Sequence, residues 1–187
     1  LTDTDATRDA LLETLINATT DYIEQYCGGR RFKATSYNEI RDSRKGHNVF
    51  LYQLPVRTFT SVEYRSGTAS NPTWNTYNAD SYLVYLTQGY VRFYGVLPEV
   101  PQGLRLNYNA GYLIDFTNEL TATHTLPFDL TQVATELAAK QYQLRLTQGI
   151  TSESTEGQSI TFNASAKDFN EDQKRVLGQY GIFRYAI

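Results

Sequence analysis

Two histidines and one cysteine are the residues of this 187-residue sequence best suited to hold zinc or a related ion. His47 lies among turn-forming residues, His124 lies in a threonine-rich stretch, and Cys27 lies at the end of a predicted helix. Zinc and related ions are held by such ligands at short, regular spacings, and these three residues are far apart in the sequence. We therefore expect two surface histidines and a small buried thiol, with no metal, no cofactor and no intrachain disulfide.

Two glutamates and two serines in the segment 151–157 come closest to a catalytic set. Glu153 and Glu156 could form a carboxylate pair, but their polar neighbours offer no apolar surroundings that would raise a carboxyl pKa. Ser152 and Ser154 have no base nearby in the sequence, and the chain contains no nucleophile-elbow or glycine-rich phosphate motif. The segment is predicted to be a solvated loop, and the sequence favours a protein that is not an enzyme.

A locally basic region stands out against a mildly acidic chain, whose net charge is -3. Arg30 and Arg31 precede the first predicted strand, and Arg44 and Lys45 occupy a predicted turn. Phosphate contacts require only positive charge, so these residues could face DNA that passes nearby. They could equally form salt bridges with a neighbouring subunit, and the overall charge gives no general reason to bind nucleic acid.

Aromatic residues are abundant, with 15 tyrosines, 9 phenylalanines and one tryptophan. Trp74, together with Tyr77 and Tyr82, could stack on a sugar or a base, which would fit a carbohydrate- or receptor-binding module. A sheet core or a partly wet interface accounts for the same residues, because tyrosine favours strands and combines apolar area with a polar tip. Both interpretations remain open.

Helical periodicity marks three segments. The first has an apolar stripe formed by Leu11, Leu12, Leu15, Ile16, Thr19, Ile23 and Tyr26. Its start carries acidic residues that favour the helix dipole, namely Asp3, Asp5 and Asp9. Gly28 and Gly29 end it, because glycine accepts a left-handed conformation. A second helix is predicted over 127–147, and a third over 170–180 with Asn170 as its N-cap.

The middle of the chain has β character. A first hairpin is predicted from 37–41 and 49–54, with a turn at 42–46. A second hairpin is predicted from 82–86 and 90–94. These segments indicate a mostly antiparallel sheet.

Three further segments complete the prediction. Residues 66–80 read as a polar loop, since they contain glycine, proline and few apolar side chains. Residues 104–109 alternate between apolar and polar types, which is the signature of a half-buried strand. A short strand is predicted at 159–162, and the apolar segment 181–187 is expected to dock on a core or a partner.

Helices and strands are segregated along the chain, which predicts an α+β fold. We expect a small helical bundle, formed by the N-terminal helix and two C-terminal helices, with an inserted, mostly antiparallel β-sheet of hairpins. Residues 1–32 and 126–187 would form the helical base and 33–115 the insertion, all within one domain. No stretch approaches the roughly 20 apolar residues that span a bilayer, and no secretory signal pattern is present, so we expect folding in a reducing cytoplasm.

Several short motifs, taken in order, resemble those of one protein family. The first helix leads into Gly28-Gly29-Arg30-Arg31-Phe32, and a strand ends at Leu54-Pro55-Val56. Tyr108-Asn109-Ala110-Gly111-Tyr112 and Leu126-Pro127-Phe128-Asp129-Leu130 follow, and the next helix carries Glu136-Leu137-Ala138. Together these motifs resemble the head–tail connector family of tailed bacteriophages, also called adaptor or head completion proteins.

The resemblance implies a structural virion protein that forms a ring of about twelve copies beneath the portal. The ring would join the DNA-filled head to the neck or tail. Its partners would be other copies of the chain, the portal protein and a neck or tail protein (a stopper, terminator or tail tube). It would lie near the packaged DNA, involve no membrane and be assembled in the cytoplasm of the bacterial host.

The resemblance also suggests which residues make these contacts. The C-terminal segment would bind the portal through Ile182, Phe183, Arg184, Tyr185 and Ile187. The polar loop would contact a neighbouring subunit or a tail-side protein through Ser152, Glu153, Ser154, Glu156, Ile160 and Phe162. The alternative function remains an aromatic carbohydrate- or receptor-binding virion module.

Overall fold

Three helices and nine strands make up the part of the protein that the structure describes. The structure is a computed structural model, and it describes residues 6–68, 70–114, 125–146, 152–155, 158–161 and 169–181. The helices are α1 (Ala6–Tyr26), α2 (Phe128–Leu146) and α3 (Glu171–Gly178). The strands are β1 (Thr35–Ser43), β2 (Asn48–Phe50), β3 (Val56–Gly67), β4 (Pro72–Thr76), β5 (Tyr82–Tyr85), β6 (Tyr90–Phe93), β7 (Val100–Ala110), β8 (Ser152–Thr155) and β9 (Gln158–Thr161). The predicted α+β class is confirmed.

The chain divides into two compact units. The helical unit comprises Leu1–Gly29 and Pro127–Ile187, and the β unit comprises Arg30–Leu126. Helices therefore come from both ends of the sequence and the two larger sheets from its middle. None of the described helices combines the length and the apolarity that crossing a bilayer requires.

α1 lies against α2 through residues that share one side of the helix. Thr19, Ile23 and Cys27 are buried and follow one another at four-residue spacing, close to the 3.6 residues of a helical turn. The facing helices contribute Leu130, Val133, Leu137 and Leu177. The predicted stripe is confirmed for its inner members and wrong for Ile16, which is 53% exposed, and for Tyr26, which is also exposed.

α3 is held to α2 at both of its ends. Asn170 and Gln173 form a capping box, in which Asn170 Oδ1 accepts from the N–H of Gln173 at 2.7 Å and Gln173 Oε1 accepts from the N–H of Asn170 at 3.1 Å. Gln173 Nε2 also donates to Glu136 Oε2 in α2 at 3.0 Å. Beyond the helix, the Tyr180 hydroxyl donates to the Asp129 carboxylate at 2.9 Å. The predicted N-cap of this helix is confirmed.

β7 is a central strand of a four-stranded antiparallel sheet with the order β1-β7-β3-β4. From Leu104 to Ala110 its side chains alternate between buried and half-buried, as the sequence predicted for 104–109. The buried members of the alternation are Leu104, Leu106, Tyr108 and Ala110. The half-buried members on the outer face are Arg105, Asn107 and Asn109. We call this the large sheet.

β2, β6 and β5 form a second antiparallel sheet, the small sheet, whose inner face shares the core of the large sheet. Its inward side chains are Val49, Tyr82, Val84, Val91 and Phe93. The hairpin formed by β5 and β6 confirms the second predicted hairpin. Gly89 lies in its turn with a φ of 69°, a left-handed backbone conformation that favours glycine.

The segments just before β1 and just after β7 lie side by side. Lys33 and Tyr112 form a parallel bridge. The N–H of Tyr112 donates to the carbonyl of Phe32 at 2.6 Å, and the N–H of Ala34 donates to the carbonyl of Tyr112 at 2.9 Å. Gly111 has a φ of 111°, and a Cβ there would lie 2.7 Å from Lys33 backbone atoms, so this close approach depends on glycine.

The first predicted hairpin is wrong. β1 pairs with β7 rather than with β2, and β2 pairs with β6. The turn residues after β1 therefore connect two sheets instead of two neighbouring strands. β1 pairs with β7 from Thr35 to Ser43, whereas β2 has only the three residues Asn48–Phe50. Pairing with β7 therefore gives β1 the longer run of hydrogen bonds.

Two segments predicted as loops contain strands. Within 66–80, β4 pairs with the end of β3 as an edge strand, and its polar composition reflects that exposure. Within 151–157, β8 pairs with β9. The short strand predicted at 159–162 is confirmed over its described residues, and Phe162 lies outside them.

Thr19 provides a test of packing in the helical unit. Its side chain is fully buried, and its hydroxyl finds no hydrogen-bond partner in the part of the chain that the structure describes. Thr19→Val should raise the free energy of unfolding by about 1 kcal/mol, because a buried unpaired hydroxyl is replaced by a methyl group of similar shape. Chemical denaturation measures the change.

Thr20→Val is the matched control, since Thr20 is exposed and its hydroxyl donates to the carbonyl of Ile16 at 2.9 Å. It should give no gain. A loss of stability in Thr19→Val would mean that the Thr19 hydroxyl is hydrogen-bonded after all.

Candidate assembly surfaces

The residues singled out for metal binding or catalysis are not gathered into a site within the described ranges. His47 is exposed, as predicted, and its Nδ1 lies 3.1 Å from the carbonyl oxygen of Phe93. Cys27 is buried in the helical unit, also as predicted. Among the described residues, no group of three or more histidine, cysteine, aspartate or glutamate side chains could hold a metal ion. His124 and Glu156 lie outside those residues.

A shallow depression of about 400 Å³ opens on the large sheet. It is lined by Ser36, Tyr37, Asn38, Thr58, Thr60, Asn107, Tyr108 and Asn109. Asn38 Nδ2 donates to Asn107 Oδ1 at 2.8 Å, and Asn107 Nδ2 donates to Ser61 Oγ and Glu63 Oε1, each at 3.0 Å. The lining therefore offers amide and hydroxyl groups for hydrogen bonding. We call the polar members of this surface (Ser36, Asn38, Thr58, Thr60, Asn107 and Asn109) the amide face.

The aromatic residues considered as a stacking platform do not share a surface. Trp74 lies beneath the guanidinium of Arg105, whose Cζ is 4.5 Å from the ring centroid. Tyr77 and Tyr82 instead pack on Phe93 in the core, with ring centroids 5.2 and 5.7 Å away. The sheet-core interpretation is confirmed for both tyrosines, and the three rings do not form a flat site for a sugar.

The basic residues differ in how they are held. Arg30 is buried, its Nε donates to the carbonyl of Leu54 at 2.9 Å, and its guanidinium lies 5.9 Å from the Phe32 ring centroid. Its charge thus stabilises a turn of the β unit. Arg31, Arg44 and Lys45 are exposed and can reach an external partner.

Glu39 and Tyr108 form a polar cluster that the sequence did not reveal. The Tyr108 hydroxyl donates to Glu39 and accepts from the N–H of Gln53 at 3.2 Å. Glu39 also accepts from the N–H of Tyr52 at 3.2 Å and pairs with Arg41. Burial, followed by the hydrogen bond to Glu39, raises the pKa of Tyr108. The cluster attaches the turn between β2 and β3 to the large sheet.

The outer side of the small sheet carries three aromatic side chains, of which Phe50 is exposed and Tyr85 and Tyr90 are half-buried. The Tyr85 and Tyr90 rings stack with centroids 4.5 Å apart, and the Phe50 and Tyr90 rings lie 5.6 Å apart. Phe50 is 46% exposed and Leu83 is 45% exposed. We call the surface formed by Phe50, Leu83, Tyr85, Tyr90 and Arg92 the aromatic face. The sequence missed it because the pairing of β2 with β6 was not predicted.

Large aromatic side chains exposed on an ordered sheet are typical of surfaces that bind other proteins. The small sheet therefore offers a surface that is suited to contact with another protein chain.

The head completion protein family model matches residues 1–183. The chain therefore belongs to the head completion protein family, whose members are structural proteins of the bacteriophage virion. The family resemblance predicted from the sequence motifs is confirmed. No curated protein matches the chain.

Among solved structures, the chain is similar to a chain in the neck of an empty GTA particle computed with C6 symmetry. The two are 20% identical, with a TM-score of 0.57, and the match covers 92% of this chain and 78% of the other. At this level of identity the similarity establishes a shared fold.

The Tyr108 hydroxyl should contribute measurably to the stability of the β unit. Tyr108→Phe leaves the Glu39 carboxylate and the Gln53 N–H without this partner, which should lower the free energy of unfolding by about 1–3 kcal/mol. Urea denaturation measures the loss. Tyr94→Phe, at an exposed position, is the control and should change little. Equal stability of the two variants would contradict the role assigned to the cluster.

The raised pKa of Tyr108 predicts a dependence on alkaline pH. The folded protein keeps the phenol proton above the ordinary pKa of 10.0, where the unfolded chain has released it. The stabilising contribution of this group is therefore complete below pH 10 and is lost as the pH rises further. Between pH 9 and 11, wild type should lose stability more steeply than Tyr108→Phe. Parallel slopes would show that Tyr108 titrates normally.

Proposed function

We propose that this protein forms a ring beneath the portal and joins the DNA-filled head to the neck or tail. The observation that carries the proposal is the head completion family match over residues 1–183. The fold shared with a chain from a neck assembly supports it. The two units would act together as one connector domain.

The ring consists of about twelve copies in head-to-tail contact. The C6 symmetry of the similar neck is compatible with this number, since a twelve-copy ring contains a six-fold axis. The partners are neighbouring copies, the portal protein and a stopper, terminator or tail tube protein. Copies are made in the cytoplasm of the bacterial host and are gathered by the portal.

The portal is bound by the C-terminal residues Ile182, Phe183, Arg184, Tyr185 and Ile187, which lie outside the described residues. Their apolar and aromatic character supports this role, because such side chains anchor protein interfaces. The chain that precedes them is fixed, since the Tyr180 hydroxyl is bonded to Asp129. The segment therefore starts from a defined point on the helical unit.

The hairpin of β8 and β9 contacts a neighbouring subunit or the tail-side protein. Its candidate contact residues are Ser152, Glu153, Ser154, Glu156, Ile160 and Phe162. In this hairpin Ser152 lies opposite Thr161 and Thr155 lies opposite Gln158. The pairing supports the proposal, because a paired hairpin presents its residues in a fixed register. Glu156 and Phe162 lie outside the described residues.

Three exposed basic residues face the DNA channel or an acidic neighbour. Arg31, Arg44 and Lys45 carry this part of the proposal, whereas Arg30 is engaged within the β unit. Contacts of this kind hold DNA through its phosphates without reading its sequence.

Removal of the C-terminal segment tests portal binding. A chain truncated after Gly181 keeps α3 and the bond between Tyr180 and Asp129, so it should fold as the full chain does. Its affinity for the purified portal should fall by more than about tenfold, because the apolar anchor is lost. Cosedimentation measures binding, and electron microscopy of the mixture reports whether a ring is added.

The full-length variant Ile182→Ser/Phe183→Ser/Tyr185→Ser is the matched control for chain length and should lose binding to the same extent. Circular dichroism confirms that both variants are folded. If the truncated chain still adds a ring to the portal, the assignment of this segment is wrong. If the full chain adds no ring, the proposed function itself fails.

A further inference from the structure

The small sheet carries large apolar side chains on both sides, although its outer side also holds Asn48 and Arg92. Antiparallel sheets with one face in water alternate apolar and polar side chains along each strand. Here the inner side chains enter the core, while Phe50, Leu83, Tyr85 and Tyr90 occupy the outer side. A sheet with large apolar side chains on both faces is expected to have both covered in its working state.

The large sheet presents the opposite kind of surface. The amide face lies on its outer side, around the shallow depression, and consists of asparagine, serine and threonine. The inner sides of both sheets share one core, so the aromatic face and the amide face point away from each other. The β unit thus carries two unlike surfaces on opposite sides.

The two faces are chemically complementary. Tyr85 and Tyr90 combine an apolar ring with a hydroxyl that needs a partner when it is buried. Arg92 adds guanidinium donors, and no carboxylate lies within ion-pair distance of it in the described part of the chain. The side-chain oxygens of the amide face accept hydrogen bonds from both groups. The depression of about 400 Å³ has room for aromatic side chains.

A head-to-tail ring requires this arrangement. Each copy must present two different patches on nearly opposite sides, and in a ring of about twelve copies each contact turns the next copy by about 30°. We propose that the aromatic face of each copy covers the amide face of the next copy, an inference that rests on the ring of the proposed function. The occupant of both surfaces is therefore a second copy of this chain.

The size of the aromatic face explains when the contact forms. Three strands of about four residues cover about 200 Å² at ordinary strand spacings. Stable interfaces bury about 800 Å² on each partner. The contact therefore does not hold two free copies together, and it closes when the portal raises their local concentration.

Cysteine crosslinking tests the contact directly. Leu83→Cys places a thiol on the aromatic face, and Thr60→Cys places one at the depression. In rings assembled on the portal from the full-length double variant, a short bismaleimide should produce a ladder of covalent oligomers on denaturing gels. Each single variant should remain monomeric, as should wild type, whose one cysteine is buried.

A loss-of-contact variant provides a second readout. Tyr85→Ser/Tyr90→Ser should reduce ring assembly on the portal by more than about tenfold while individual copies remain folded. Val96→Ser, at an exposed apolar position outside both faces, is the matched control and should assemble normally.

The outcomes separate this inference from the proposed function. Rings that form on the portal but give no ladder from the double variant overturn the inference and leave the proposed function intact. Dimers from either single variant mean that like faces meet, which also overturns it. A crosslink to another virion protein assigns the aromatic face to that partner instead. If wild type does not join the portal, the proposed function fails, and the inference that rests on it fails with it.

Discussion

The inward side chains of β7 must be kept from water, and this requirement organises the whole β unit. Leu104, Leu106 and Tyr108 lie in a strand with neighbours on both edges, so only a second layer can cover them. The small sheet is that layer. Once the two inner faces meet, every other residue of these strands must point outward, and the character of both exposed surfaces follows from the same alternation.

Polar contacts then fix the turn that joins the two layers. Arg30 donates to the carbonyl of Leu54, Glu39 accepts from the N–H of Tyr52, and the Tyr108 hydroxyl accepts from the N–H of Gln53. Each of these side chains thus bonds to a backbone group of the turn. Each of these hydrogen bonds contributes only modestly to the free energy of folding. Removing one partner costs more, because the other partner is left buried without a hydrogen bond, and this cost holds the turn in one conformation.

The sequence predicted elements more accurately than it predicted their partners. α1, α2, α3 and β7 are defined by local periodicity, and each was found within a few residues of its predicted bounds. The pairing of β1 with β7 depends on residues some 70 positions apart, which no local pattern encodes. The aromatic face was missed for that reason, since Phe50 and Tyr90 meet only after β2 joins β6. The buried role of Arg30 likewise depends on a distant carbonyl, so composition alone presented it as a surface charge.

The bridge between Lys33 and Tyr112 has a consequence for how such a protein can diversify. The segment that follows β7 returns beside the segment that precedes β1, so β1 to β7 form a closed loop on a short stem made of these two segments. Strands within that loop can be lengthened, shortened or exchanged while the two ends of the stem keep their separation. Gly111 allows the two segments of the stem to lie this close, because a Cβ at that position would collide with the backbone of Lys33. Phages could therefore alter one binding surface without rebuilding the helices that flank it in sequence.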